Sequence, residues 1–400
     1  MFHTTNVKYD FEINYDRDLD TIRFCYAIWN IIRYAVPSVL TVYFEYSILV
    51  INLGFAASME NGVYLKAARI GNIIIFVTWF SVIIGLNGSL DTLVSQASGA
   101  KMYYIWGWYL NRARIVQITI FPIFITYLYT EDILAILGID RITGAVVQMY
   151  LTYFLPGIFA YAQYETVKRF LQNVGNFSIA MYVQSIWFIF HCMLGYVMRF
   201  HTNLGMKGIG LSSSISYIFS WLLINISLFY YRKRLPDRIL HLDSNSFKNI
   251  SRMLKFGLLS WIMMVTRISG FGVISYFIRM TNSDQTQASL ILYIYFCYFI
   301  KTSCGISYSV SYWIGYKIGQ KQPNSARKYL IVSTFLTVVF ISLLTTLIIL
   351  MKFYVPLLYS TDWAVNKIVE ELLPISCSAM LFETVNVGKI SILKPFHSNI

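Results

Sequence analysis

Charged residues are scarce in this sequence. Only 13% of its 400 residues are Asp, Glu, Lys or Arg, whereas 57% are hydrophobic. Soluble domains carry about 25% charged residues, so the composition excludes an ordinary soluble fold. The mean hydropathy of +0.57 points the same way.

Catalytic and metal-binding signatures are also missing. The five cysteines form no CxxC pair, and the five histidines form no HExxH motif. The GxSxG and Walker patterns are absent as well. These absences leave no basis for a disulfide framework, a zinc site or a common hydrolase or nucleotide site. The sequence therefore predicts a protein that is not an enzyme and that uses no metal or cofactor.

Long apolar runs dominate what is present. A helix needs about 20 apolar residues to cross a bilayer, and runs of about that length recur along the whole chain. Transmembrane β-barrels have segments of about ten residues in which apolar and polar residues alternate, and these long continuous runs do not fit that pattern. The predicted fold class is all-α, a polytopic membrane protein with about ten spans. We place them at 31–53, 70–93, 112–129, 144–163, 176–200, 206–231, 255–280, 288–314, 327–350 and 364–389.

The positive charge is distributed between the spans. The formal net charge is +13, but its lysines and arginines fall in short connections, where they orient spans and contact lipid headgroups. If the N-terminus is cytosolic, the cytosolic connections hold 16 basic residues, Lys168 and Arg169 among them, and the opposite ones hold 8. We therefore predict a cytosolic N-terminus, contact with membrane lipids and no binding of nucleic acid.

Two internal matches indicate a duplication. FLPGIFAYAQYETVKR resembles LLPISCSAMLFETVNVG, with Glu165 standing for Glu383 at an offset of 218 positions. GAKMYYIWGWYL (99–110) resembles GQKQPNSARKYL (319–330) at an offset of 220. Each copy would contain six spans, and because this number is even, both copies enter the membrane in the same orientation. This predicts parallel repeats with a cavity between them.

The expected organisation follows from these repeats. Residues 1–30 form a cytosolic N-terminal segment, and 31–231 form a first lobe with spans 1–6. Residues 232–254 form a cytosolic inter-lobe loop, and 255–400 form a second lobe with spans 7–10. The second repeat is thus expected to be incomplete.

Four stretches, taken in order, carry a resemblance to a known family. They are LDTLVSQASGAK (90–101), YLNRARIV (109–116) followed by TEDILAILGID (130–140), FLPGIFAYAQYETVKRFLQ (154–172), and LKFGLLSW (254–261) with IGYKIGQKQPNSARK (314–328). Each is weak alone, but the ordered set resembles the eukaryotic branch of the multidrug and toxic-compound extrusion (MATE) transporters.

The resemblance implies a two-lobed exporter that works by alternating access. It would bind small organic, often cationic, compounds in a central cavity and exchange them for protons or sodium. It would act as a monomer in the plasma membrane or a vacuolar or vesicular membrane. In the family, the end of the second span belongs to the cytosolic gate, which here holds Asp91, Gln96 and Gly99. The residues alone suggest that Asp91 and Gln96 hydrogen-bond the following loop.

The second half carries a candidate coupling site and a departure from the family. Glu383 matches the acidic residue of the family's tenth span, and a carboxylate inside an apolar run is by default a functional hypothesis. The family's glutamate of the seventh span is replaced by Arg267. Two other family acids fall on Gly272 and Ile294, and Lys301 is gained. We expect an Arg267–Glu383 ion pair, which would keep Glu383 ionised and oppose proton carriage.

The first span carries a second candidate. Bacterial relatives have an aspartate where this sequence has Asn52, and Glu45 lies seven residues earlier on roughly the same helix face. Glu45 is either a replacement proton carrier or a glutamate at a helix interface, bonded to a tyrosine or glutamine.

Three functions remain open at this level. The first is antiport of organic compounds. The second is a truncated or degenerate relative without coupled transport. The third is a flippase for lipid-linked substrates, in which Arg267 and Lys301 would contact a diphosphate. The sequence leaves the substrate, the coupling ion and the membrane undetermined.

Overall fold

The chain folds into a bundle of long helices. The computed structural model describes residues 24–59, 62–231, 243–278, 283–358, 360 and 362–393. Within these ranges it contains ten long helical segments and no strand, as the sequence predicts. They are α1 (Phe24–Ala57), α2 (Gly62–Gly99), α3 (Tyr103–Ile136), α4 (Arg141–Asn173), α5 (Phe177–Phe200), α6 (Met206–Tyr231), α7 (Ile250–Ile278), α8 (Ser283–Gly319), α9 (Pro323–Leu350) and α10 (Trp363–Leu393).

Most of these helices suit a bilayer. In the described part of the chain, eight are long and apolar enough to cross a membrane by length and composition. Over the part of α7 whose side chains the structure describes, Met253–Val265 is also apolar. The ten predicted spans coincide with the ten helices, and the observed helices mostly extend past the predicted ends.

Helices α1, α7 and α4 extend beyond the predicted spans into the neighbouring segments. Helix α1 begins at Phe24, inside the predicted N-terminal segment 1–30. Helix α7 begins at Ile250, inside the predicted loop 232–254. Helix α4 continues to Asn173 instead of ending at 163, and this extension changes the interpretation of its charged residues.

An aromatic cluster holds α2, α4 and α6 together. The buried Trp79 ring makes edge contacts with Phe154, Tyr161 and Tyr217, with centroid separations of 5.3, 4.9 and 5.4 Å. Such pairs contribute about 0.5–1.5 kcal/mol each beyond their buried area. The first half therefore has a rigid centre on which charged side chains are positioned.

Helix α2 is not a regular α-helix throughout. Residues Ile75–Phe80 adopt a π-helical conformation between two α-helical parts. A π-helical turn inserts an extra residue into the helix and is frequently found at functional sites. Phe76 and Phe80 both lie in this stretch.

Helix α1 contacts the second half of the chain along much of its length. Asn30 donates a hydrogen bond to the Tyr329 hydroxyl of α9 at 2.9 Å. Further along α1, Ser47 is hydrogen-bonded to the hydroxyl of Tyr298 at 2.8 Å, and Tyr43 is hydrogen-bonded to Thr302. These contacts place α8 directly beside α1.

Candidate functional site

Glu45 lies at the contact between α1, α4 and α8. Its side chain is only 1% exposed. One carboxylate oxygen is 2.6 Å from Lys168 Nζ, and the other is 3.5 Å from Lys301 Nζ. Glu45 thus joins a lysine of the first half to a lysine of the second.

Glu165 continues this arrangement inside α4. Glu165, Lys168 and Arg169 are spaced i, i+3 and i+4, which places all three on one helix face. The fully buried Glu165 accepts a hydrogen bond from Arg169 Nε at 2.8 Å and is ion-paired with Lys168. Lys168 is therefore shared between the carboxylates of Glu45 and Glu165.

Arg169 links α4 to α2 and α8. Its Nη1 lies 3.2 Å from Asp91 Oδ2, and Asn173 Nδ2 donates to the other Asp91 oxygen at 2.9 Å. The guanidinium carbon is 3.5 Å from the centroid of the Tyr308 ring, which is a close cation–π contact. Asp91 therefore contacts the end of α4, whereas the sequence predicted a hydrogen bond to the loop after α2.

These contacts form a continuous chain of alternating charge, which we call the buried charge chain. In order it comprises Lys301, Glu45, Lys168, Glu165, Arg169 and Asp91. Three bases face three acids, so the group is formally neutral. Burying an unpaired charge costs several kcal/mol, and only mutual pairing makes such a cluster tolerable in an apolar interior.

The gate residues lie at the end of the bundle where α2 and α8 both terminate, which we call the Gly99 end. A Cβ at Gly99 would overlap the carbonyl oxygen of Tyr316, and a Cβ at Gly319 would overlap that of Gln96. The two helix ends therefore approach through backbone atoms, which only small residues permit. Gln96 and Gly99 are both in this contact, whereas Asp91 lies two turns earlier in the buried charge chain.

Asn52 belongs to a separate polar cluster in the first half. Its Nδ2 donates to Ser213 Oγ at 2.9 Å and to Tyr150 Oη at 3.2 Å. Its Oδ1 lies 3.1 Å from His191 Nε2, and His191 Nδ1 lies 3.0 Å from Ser216 Oγ. The buried histidine is thus a hydrogen-bonded interior imidazole, and Asn52 is held by neutral partners.

Comparisons with known proteins bear on this geometry. A family model described as MatE matches residues 37–197, which span most of α1 and continue almost to the end of α5. The fold is similar to the crystal structure of the eukaryotic MATE transporter AtDTX14, with a TM-score of 0.87 at 18% identity over 93% of this chain and 83% of that one. These matches support a eukaryotic-type MATE transporter. Members of that family are transporters and not enzymes.

Individual relatives support the assignment. Protein DETOXIFICATION 16 of Arabidopsis thaliana is 26% identical over 350 residues, which is 85% of this chain and 70% of the relative. Protein DETOXIFICATION 17 of Arabidopsis thaliana is 29% identical over 211 residues, or 52% of this chain and 44% of the relative. Together with the eight apolar helices, these matches support an integral, multi-pass membrane protein that is similar to multidrug and toxic-compound transporters.

The structure brings together some predicted site residues and not others. Glu45, Lys301 and Asp91 meet in the buried charge chain, whereas Asn52 lies in the neutral cluster. Arg267 and Glu383 fall on α7 and α10, but their side chains lie outside the described residues. Their ion pair therefore stays a prediction.

One assignment is wrong. Lys168 and Arg169 were expected in a cytosolic connection, but both are about 1% exposed near the end of α4. They remain in the helix because three buried carboxylates pair with them, and two of the 16 basic residues therefore carry no orientation signal. The i, i+3, i+4 spacing with Glu165 was the signal that would have identified them.

Proposed function

We propose that this chain is a secondary antiporter that exports organic compounds in exchange for protons or sodium by alternating access. The supporting observation is the buried charge chain, because it crosses from the first half of the sequence to the second through the Glu45–Lys301 ion pair. A carboxylate in that position connects an ion-binding event to the relative position of the two halves.

The mechanism follows from the shared position of Glu45. When Glu45 is ionised, it attracts Lys168 and Lys301 from opposite sides. When it binds a proton, Lys168 keeps Glu165 as a counter-charge, but Lys301 loses its carboxylate partner. Two charges about 4 Å apart near a protein surface interact by about 4 kcal/mol. Proton binding at Glu45 therefore weakens the attraction between α1 and α8.

The Gly99 end is the proposed cytosolic gate. Backbone contact between α2 and α8 closes the bundle at this end, and separation of Gly99 from Tyr316 would open it. We place the N-terminus on the same side. The transporter would act as a monomer among membrane lipids, in the plasma membrane or in a vacuolar or vesicular membrane.

A second candidate function is a MATE-like protein without coupled transport. The observation in its favour is that Glu45, Glu165 and Asp91 are all already paired with basic side chains. An Arg267–Glu383 pair would occupy the carboxylate of the second half in the same way. A flippase is less well supported, since Lys301 is engaged with Glu45 instead of presenting its charge to a diphosphate.

Reconstituted transport separates these functions. Uptake of a fluorescent organic cation into proteoliposomes is measured with an imposed proton gradient, with an imposed sodium gradient, and with neither. An antiporter responds to one gradient, whereas an uncoupled relative gives the same downhill flux in all three conditions.

The coupling carboxylate is identified with matched variants. If Glu45 couples transport, Glu45→Gln abolishes the response to the gradient, whereas Asp140→Asn, a carboxylate outside the buried charge chain, preserves it. A full gradient response in Glu45→Gln together with its loss in Glu383→Gln would move the coupling site to α10.

A further inference from the structure

The ammonium group of Lys301 lies in an enclosed cation site. Its Nζ is 3.5 Å from Glu45 Oε1, 5.4 Å from the centroid of the Phe76 ring and 5.3 Å from that of Phe80. The lysine is only 6% exposed. A carboxylate combined with two aromatic rings is the arrangement by which proteins recognise alkylammonium ions.

The two rings owe their placement to an irregular stretch of α2. Phe76 and Phe80 both belong to the π-helical segment Ile75–Phe80, and both lie within 6 Å of the same nitrogen. Since π-helical turns are rare and are frequently found at functional sites, this stretch is an independent indication of a binding role.

The cation and the site come from different halves of the chain. Glu45, Phe76 and Phe80 are on α1 and α2, whereas Lys301 is on α8. Without Lys301, the buried charge chain holds three acids and two bases. Movement of α8 away from α1 would therefore leave an aromatic site with an excess negative charge.

We propose that Glu45, Phe76 and Phe80 form a binding site for the alkylammonium group of a substrate, and that Lys301 is a tethered cation that competes for it. The proposal deepens the proposed function, on which it rests for the identity of the physiological ligand. A primary or secondary ammonium suits the site best, because its N–H groups donate to Glu45 as Lys301 does, whereas a quaternary ammonium has no proton to donate. Binding of the substrate and contact between α1 and α8 are then mutually exclusive.

The test removes the Lys301 side chain and supplies an alkylammonium ion in solution. Lys301→Ala is purified, and its thermal midpoint is measured during titration with ethylammonium chloride at constant ionic strength maintained with NaCl. We expect a saturable rise that recovers most of the loss caused by the substitution. Tetramethylammonium should act more weakly. The readout requires no transport, so its failure is distinguishable from failure of the proposed antiport.

Three matched proteins isolate the site. Wild type should not respond, because Lys301 occupies the site. Lys66→Ala removes an exposed lysine that is ion-paired with Asp140 and should not respond either. The double variant Glu45→Gln/Lys301→Ala lacks the carboxylate and should lose the ethylammonium effect.

The outcomes are decisive in both directions. Equal stabilisation of Lys301→Ala, Lys66→Ala and wild type would overturn the proposal, as would the absence of any rise in folded Lys301→Ala. Recovery of Lys301→Ala only when ethylammonium is present during purification would support it. Failure to recover that variant in either buffer, while the charge-neutral double variant is recovered in both, would count against the site.

Discussion

Arg169 offers the sharpest test of the buried charge chain. Its guanidinium contacts Glu165 at 2.8 Å, Asp91 at 3.2 Å and the ring of Tyr308 at 3.5 Å. In Arg169→Met, Glu165 keeps Lys168, whereas the partner that Asp91 keeps among the described side chains is the neutral Asn173. Removing one partner of a buried pair costs about 3–5 kcal/mol. We expect the upper part of that range, because Asp91 loses the basic partner that the described residues give it.

Two further variants separate the contributions to this loss of stability. Arg169→Lys retains the charge but lacks the fork that reaches both carboxylates, so we expect a loss of about 2 kcal/mol. The double variant Asp91→Asn/Arg169→Met removes both charges. Its loss of unfolding free energy should be smaller than the summed losses of Asp91→Asn and Arg169→Met by about 1.5 kcal/mol or more. Residues in contact couple by about 0.5–3 kcal/mol.

The assay is unfolding in mixed micelles with a denaturing detergent, with all variants under one condition. The matched control is Arg199→Met, because Arg199 bonds Ser58 at an exposed site and should contribute less than about 1 kcal/mol. A loss for Arg169→Met no larger than that of Arg199→Met would refute the reasoning, as would strict additivity in the double variant.

Two other predictions concern the ends of helices. Gly99→Ala should lose about 1–3 kcal/mol of stability and slow transport, because its Cβ overlaps the Tyr316 carbonyl oxygen. A Cβ at Gly54 meets none of the described atoms within 4 Å, so Gly54→Ala should be neutral or slightly stabilising. Unfolding and uptake assays compare the two, and equal behaviour would contradict the close contact at the Gly99 end. Hydrogen bonds from Lys66 and Thr143 hold the pKa of Asp140 below its usual range, so its contribution is present above about pH 4 and fades as the pH falls through the folded-state pKa. Lys66 and Asp140 are 44% and 48% exposed, so Asp140→Asn should lower the free energy of unfolding by at most about 1 kcal/mol at pH 7. The difference from wild type should disappear in acid. A difference that is constant with pH would contradict this assignment.

Helix number and order could be predicted because hydropathy alone determines them in a membrane protein. The apolar runs coincide with the ten helices, and the ordered motifs predicted the family. Helix ends were less predictable, since charged residues can extend a helix only when they find buried partners. Lys168 and Arg169 illustrate this limit, because their partners Glu45 and Asp91 are distant in sequence.

The candidate site was predicted one residue at a time and not as a group. Glu45, Lys301 and Asp91 were each singled out, but their connection depends on the side chains of Lys168 and Arg169 on α4, which reach α1 and α2. Glu165 was seen only as the sequence counterpart of Glu383, although it occupies the middle of the buried charge chain. A single sequence does not specify which helix faces meet, and that is the information needed to connect these charges.

The placement of α1 has a consequence for how the two halves move. Helix α1 belongs to the predicted first repeat, yet Ser47 and Tyr43 are hydrogen-bonded to α8, and Asn30 is bonded to Tyr329 of α9. Rocking of the halves must therefore either carry α1 with the second half or slide it along α8. Hydroxyl groups both donate and accept, so a slide re-forms such bonds with new partners at little net loss. If α1 moves with the second half, the moving unit of the proposed transporter includes a helix from the predicted first repeat, and its boundary differs from the predicted inter-lobe loop 232–254.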